Sequence, residues 1–237
     1  MLFSSFSAAL LLLTSSVSAL PKIPRATNLD SLAARYPKSD LPGPDGLELK
    51  YVLLGVGTQN YTCNSGNETA PPGTTGALAK LYDIGTRLNR DPLAQWKISS
   101  ISGLALSLSS FGNLLDGYLM LEGYNEWMGN HFFTQMDTTT SIPTFYLDHA
   151  KTTPFPNAMV TKKNAVDAPK SACPGTKNEG AVQWLQLVDE KGLSAGGVNA
   201  VYRLETAGGN KPATCKGQKA AFEVPYTAQY WVYGTKA

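Results

Sequence analysis

Histidine is the residue type in this sequence best suited to acid–base chemistry, because its ordinary pKa lies near neutral pH. The chain contains two histidines, His131 and His149. His131 stands in the run GNHFF (residues 129–133), where it is a candidate general acid or base with a carboxylate partner such as Asp148. Its alternative role is a hydrogen-bonded histidine that ties a strand to a neighbouring loop. The sequence favours this structural role, because no nucleophile or partner base stands out.

This chain has few residues that could bind a metal ion. Two histidines are too few for a three-histidine centre, and the three cysteines lack the C-x-x-C spacing of a zinc site. A mixed zinc or copper site would need His131 together with His149, Asp137 or Asp148. The sequence therefore predicts no metal and no other cofactor.

Two short glycine motifs match enzyme signatures in their letters but not in their context. The run GVGTQN (residues 55–60) lacks the third glycine and the following helix of a dinucleotide-binding turn, and no βαβ alternation comes after it. The sequence therefore does not support an NAD-dependent malate dehydrogenase. In the run GLSAG (residues 192–196), Ser194 lies between two strand candidates and follows both histidines, so it is interpreted as a hairpin turn rather than a nucleophile elbow.

Aromatic side chains are the feature most typical of ligand binding. In the strand-like run at residues 226–233, Tyr230 and Trp231 point to opposite faces. One face must pack inward, and the other is either a flat platform for sugar rings or a partner protein, or a second packed face. We expect Trp127, His131, Tyr230 and Trp231 to contribute to a ligand site.

An arginine stands among apolar residues in another strand candidate, at residues 198–205. Arg203 is flanked by Tyr202 and Leu204, so it is predicted to be partly buried and to need a carboxylate partner. Glu205 is the candidate partner, because residues two apart on a regular strand point to the same side.

The N-terminus has the features of a signal peptide. Residues 8–13 are apolar, small polar residues follow, and the sequence VSA (residues 17–19) is an acceptable cleavage site. This apolar run is too short for a membrane anchor, and no later segment is long enough to span a bilayer. We expect a secreted, extracellular protein, free or associated with the cell wall, with N-glycosylation acceptors at Asn60 and Asn67.

The formal net charge is only +2, and the basic residues are dispersed rather than arranged in a stripe. A nucleic acid is therefore not an expected partner. The sequence does not predict the oligomeric state.

The elements that position these residues are mainly strands, because the chain has 22 glycines, 15 prolines and many short aromatic and β-branched runs. Strand candidates lie at residues 47–63, 77–83, 118–135, 142–147, 158–162, 181–188, 198–205 and 226–233. Mixed helical spacing of apolar residues predicts a helical insertion at residues 91–115. We expect a signal peptide at residues 1–19, an extended lead-in at residues 20–45 and a single all-β domain at residues 46–237. The lead-in either packs over the domain or acts as a spacer, and the sequence favours the spacer. This domain is an antiparallel sandwich or barrel of about eight to ten strands.

Three cysteines, Cys63, Cys173 and Cys215, predict one disulfide and one free thiol in an oxidising compartment. A long hairpin around Leu193 would bring Cys173 and Cys215 together. From the residues alone, this pairing and the pairing of Cys63 with Cys215 both remain open.

Four runs, YVLLGVGTQNYTC, GAVQWLQL, VYRLETAGG and VPYTAQYWVYG, carry a resemblance that covers residues 46–234. They resemble a family of secreted fungal and exported bacterial proteins catalogued as a domain of unknown function, whose fungal members often carry the label "malate dehydrogenase". The resemblance implies no established chemistry. It favours the disulfide Cys63–Cys215, because cysteines occupy these two positions in the family.

Export, abundant aromatic residues and the lack of a coherent catalytic group together predict a non-catalytic module that binds carbohydrate or a small apolar ligand outside the cell. The first alternative is a secreted hydrolase or lyase that uses His131 with a carboxylate. The second is a structural cell-surface or host-interaction protein.

Overall fold

The computed structural model describes residues 28–64 and 67–236, so the predicted signal peptide lies outside the described residues. The fold is built on one sheet of nine antiparallel strands. The strands are β1 (Leu47–Thr62), β2 (Gly73–Asp83), β3 (Trp127–Gln135), β4 (Ser141–Tyr146), β5 (Asn157–Met159), β6 (Thr161–Val166), β7 (Trp184–Val188), β8 (Ala200–Gly208) and β9 (Ala221–Thr235). The helices are α1 (Asp30–Ala33), α2 (Gly85–Leu88), α3 (Ala94–Ser109) and α4 (Gly112–Glu122).

The sheet curls into a nearly closed barrel. Its strand order is β5-β4-β3-β2-β1-β9-β8-β7-β6, so the two edge strands are neighbours in sequence, with only Val160 between them. β5 pairs with β4, and β6 pairs with β7, so the segment 157–166 joins both edges of the sheet. This arrangement confirms the predicted all-β fold and places the strand number within the expected range.

Both faces of the longest shared wall, β1 with β9, are buried. Along β9, Tyr226 and Tyr230 point into the barrel, whereas Trp231 and Tyr233 point outward into a second core beneath the helices. Tyr230 and Trp231 are both 0% exposed. Of the two possibilities that the sequence left for this strand, the structure shows two packed faces.

The helical layer covers the outer face of β1, β8 and β9. Side chains of α3 pack on the sheet, and Gln229 Nε2 donates to the Ile98 carbonyl at 2.6 Å. The predicted insertion is helical, but the helices continue to Glu122, so the strand prediction for residues 118–122 is wrong. Leu115 and Leu119, one turn apart on α4, bury against the same core, and this packing outweighs the strand preference of the local sequence. Within the described residues, no helix is long and apolar enough to cross a membrane.

Residues 28–45 pack over the aromatic face of β8 and β9. Leu29, Leu32 and Leu41 join the outer core, and the Tyr36 ring makes edge-on contacts with aromatic rings of both strands. The interpretation of this segment as a spacer is therefore wrong for its described part, because it supplies buried side chains to the fold.

A disulfide joins Cys63 to Cys215, as the family resemblance implied, and Cys173 is free. The bond ties the end of β1 to the connection between β8 and β9. Backbone hydrogen bonds from Cys63 N to the Ala220 carbonyl and from Cys215 N to the Ala70 carbonyl hold the same region.

Candidate functional site

A cavity of about 680 Å³ opens at the end of the barrel where β1 ends and β2 begins. We call this cavity the barrel mouth. Side chains from β1, β2, β3, β4, β6, β7 and β8 line it, so the cavity is enclosed by most of the barrel wall. Its apolar lining consists of Phe133, Ile142, Pro143, Val182, Leu185 and Leu187.

Positive charge is in excess in the barrel mouth. Arg203, Lys162 and Lys211 line it, and Asp167 is its only carboxylate among the described residues. The Arg203 guanidinium donates through Nε to the backbone carbonyl of Gln183 at 3.1 Å. Asp167 accepts a hydrogen bond from the Gln183 side chain at 2.9 Å.

A β-bulge separates Arg203 from Glu205, which was the carboxylate predicted to pair with it. The register of β8 against β9 shifts between Leu204 and Ala207, and Glu205 adopts a positive φ of 46°. The extra residue reverses the alternation, so Glu205 lines a separate cavity of about 460 Å³ beside α3. Burial raises the pKa of Glu205 to about 7, and no cation of the described part of the chain offsets this shift. The predicted Arg203–Glu205 pair is therefore wrong.

His131 lies in the barrel interior and is 3% exposed. Its Nδ1 donates to the Thr144 carbonyl at 3.0 Å, and its ring stacks on Phe145 with centroids 4.2 Å apart. Burial lowers the pKa of His131 to about 4; the Thr144 carbonyl opposes the shift, and the Arg203 charge adds to it. The imidazole is therefore neutral at pH 7, and its contacts suit a residue that ties β3 to β4.

The structure brings together two of the four residues expected at a ligand site. The rings of His131 and Tyr230 lie 5.5 Å apart inside the barrel. Trp231 points to the opposite side of the wall, into the outer core. Trp127 is 41% exposed at the start of β3, where its ring centroid lies 4.0 Å from that of His149 and the two ring planes are tilted by 32°.

The predicted catalytic partner of His131 lies elsewhere. Asp148 is exposed just beyond the end of β4. Among the described residues, the hydrogen bond of the His131 ring is to a backbone carbonyl, so the structure places no carboxylate on this histidine.

Sequence reasoning missed several polar residues of the barrel mouth, including Gln59, Tyr61 and Lys211. The Tyr61 hydroxyl donates to the Gly209 carbonyl at 2.6 Å, and burial raises the pKa of Tyr61 to about 12 although the Arg203 charge lowers it. Gln59 is 5% exposed, and its Nε2 makes no well-formed hydrogen bond among the described residues, although it interacts with the Tyr226 hydroxyl. The two-residue alternation along β1 was the signal that could have placed both side chains inside the barrel.

The remaining expected sites lie on other parts of the surface. Asn67 is exposed in the loop after β1, whereas Asn60 is half-buried within β1. Asp137 accepts backbone hydrogen bonds from Thr139 and Thr140 in an exposed turn, and these bonds lower its pKa to about 2. Within residues 28–64 and 67–236, no three His, Cys, Asp or Glu side chains are grouped to hold a metal ion.

Comparison with protein families gives one match. The family described as "Protein of unknown function (DUF3455)" matches residues 44–234, which extend from just before β1 to the last residues of β9. Comparisons with curated proteins and with solved structures give no match.

Proposed function

Since this chain belongs to the family described as "Protein of unknown function (DUF3455)", we propose a function from the geometry of its own barrel mouth. The protein is a secreted, non-catalytic binding protein that holds a small, mainly apolar ligand in this cavity. The observation that carries the proposal is the cavity itself, whose volume of about 680 Å³ lies within the range of small-molecule pockets. The disulfide between Cys63 and Cys215 supports an oxidising location.

Of the three aromatic residues expected at a ligand site, Trp127 is exposed but Tyr230 and Trp231 are buried, and this burial favours a small ligand over a polysaccharide. A platform for sugar rings needs exposed aromatic faces, but Tyr230 and Trp231 are fully buried. The apolar lining of the barrel mouth instead offers a concave surface that can surround a compact ligand. Catalysis by His131 has less support, because its neutral ring is engaged by the Thr144 carbonyl and no nucleophile contacts it within the described residues.

The test is a titration of the mature protein with N-phenyl-1-naphthylamine, a neutral apolar dye whose fluorescence rises in apolar surroundings. We expect saturable binding of one dye per chain. Leu185 is half-buried on the wall of the barrel mouth, so Leu185→Trp narrows the cavity and should weaken dye binding at least tenfold. Leu121, exposed on α4, provides the matched control Leu121→Trp, which should leave the affinity unchanged.

Two results would overturn the proposal. Failure of the dye to bind, or an effect of Leu121→Trp in place of Leu185→Trp, would remove the barrel mouth as the ligand site. Retention of the protein on insoluble wall polysaccharides would favour the carbohydrate alternative. Sugar release that disappears in His131→Ala would favour the hydrolase.

A further inference from the structure

The Arg203 guanidinium is a half-buried charge on the wall of the barrel mouth. On β8, Arg203 pairs across strands with Leu185 on one side and Tyr230 on the other, so its side chain shares the inner face with them. None of the ion pairs formed by the described residues includes Arg203. Among the described residues its one hydrogen bond, from Nε to the Gln183 carbonyl, leaves the two terminal nitrogens for another acceptor.

A half-buried guanidinium without a carboxylate is costly unless something else supplies negative charge. The β-bulge that turns Glu205 away removes the nearest acid in sequence from this face. Asp167 is the one described carboxylate that lines the cavity, and its side chain is exposed and engaged by Gln183. Lys162 and Lys211 add further positive charge to the rim.

A second hydrogen-bond donor lines the same cavity. Gln59 pairs across strands with Ala77 and Val224, and its side chain lines the barrel mouth. Its buried Nε2 makes no well-formed hydrogen bond within the described part of the chain, although it interacts with the Tyr226 hydroxyl. Buried amide donors normally find an acceptor, so this nitrogen also suits a ligand that brings one.

Resting on the proposed function of the barrel mouth, we infer that its ligand is an amphiphilic anion with a carboxylate head group and an apolar body. The head group binds the terminal nitrogens of Arg203, because a guanidinium pairs with a carboxylate through two parallel, charge-assisted hydrogen bonds. The apolar body lies against Phe133, Leu185 and Leu187.

The experiment compares decanoate with 1-decanol, which has the same chain length but no charge at neutral pH. Both compete with bound N-phenyl-1-naphthylamine, so one assay reports both affinities. We expect decanoate to bind the natural protein at least tenfold more tightly than 1-decanol. In Arg203→Gln, decanoate should lose at least tenfold in affinity, while the neutral dye and 1-decanol change less than twofold.

Arg90→Gln is the matched control, because Arg90 is exposed and lies outside the barrel mouth. It should leave all three affinities unchanged. Equal binding of decanoate and 1-decanol by the natural protein would overturn the inference without any variant, as would undiminished decanoate binding in a folded Arg203→Gln. In both cases retained dye binding would leave the proposed function standing, whereas loss of dye, decanoate and 1-decanol binding together would remove both.

Discussion

His131 and Glu205 show how burial sets the charge of single residues in this protein. Burial lowers the pKa of His131 to about 4 and raises that of Glu205 to about 7, so both favour their neutral forms. Their contributions to stability depend on pH in opposite directions. Stability from the neutral state of His131 is lost as the pH falls, whereas stability from protonated Glu205 is lost as the pH rises from about 4.5 to about 7.

The prediction at this scale concerns His131→Gln. Between pH 6.5 and about 4, the imidazole of His131 is protonated in the unfolded chain but stays neutral in the folded protein. As the pH falls through this range, His131 should therefore lower the free energy of unfolding by about 3 kcal/mol. His131→Gln should show a correspondingly smaller loss over this range, measured by urea unfolding at several pH values.

The matched control is His149→Gln, since His149 is exposed and its ring contacts Trp127 at the surface. Its unfolding free energy should follow the same pH dependence as the natural protein. An identical pH dependence in His131→Gln and the natural protein would show that the buried imidazole is not the group responsible.

The two glycines of strand β1 are explained by the close approach of neighbouring groups. A Cβ on Gly55 would lie 2.4 Å from Cε2 of the Tyr230 ring, and a Cβ on Gly57 would lie 1.9 Å from the Leu78 carbonyl oxygen. The GVG run therefore lets an aromatic ring and a neighbouring backbone come close inside the barrel. This packing accounts for both glycines, so a bound nucleotide is not needed to explain them.

At the scale of elements, Gly57→Ala should lower the free energy of unfolding by about 3 kcal/mol or more, because the clash is with backbone that cannot rotate away. Gly117→Ala in α4 is the control, since nothing lies within 4 Å of its added Cβ. It should instead stabilise by about 0.5–1 kcal/mol through helix propensity. Chemical denaturation of both variants checks this, and a tolerated Gly57→Ala would contradict the strand packing described here.

The barrel as a whole depends on contacts between distant parts of the chain. The segment 157–166 closes the sheet, and the disulfide joins residues 152 positions apart at the end that carries the barrel mouth. A cross-link that closes so long a loop restricts the unfolded chain strongly.

The prediction for the whole molecule is that replacing Cys63 and Cys215 together by alanine lowers the free energy of unfolding by up to about 5 kcal/mol. Cys173→Ala, which removes the free thiol, should have a much smaller effect. The two variants and the natural protein are compared by thermal unfolding under non-reducing conditions. Equal losses in the two variants would mean that the cross-link contributes little.

Much of this fold follows from local patterns that the sequence displays. Alternation and β-branched content located most of the strands. The residues around GVGTQN and GLSAG argued against a dinucleotide-binding turn and a nucleophile elbow. The ends of the helices were harder to predict, because the region is apolar on both faces. Ile98 and Ile101 are buried there, whereas Trp96 and Leu121 are exposed.

The sequence by itself determined that the protein is built from strands, and, through its resemblance, which cysteines pair. Only the tertiary structure decided that the sheet closes, that both faces of β9 are buried, and that Arg203 and Glu205 point to opposite sides. The physical reason is that a bulge, a barrel closure and a cavity each depend on how strands far apart in sequence align. The barrel mouth therefore exists only in the folded chain, and the ligand proposed for it has to be sought from its geometry.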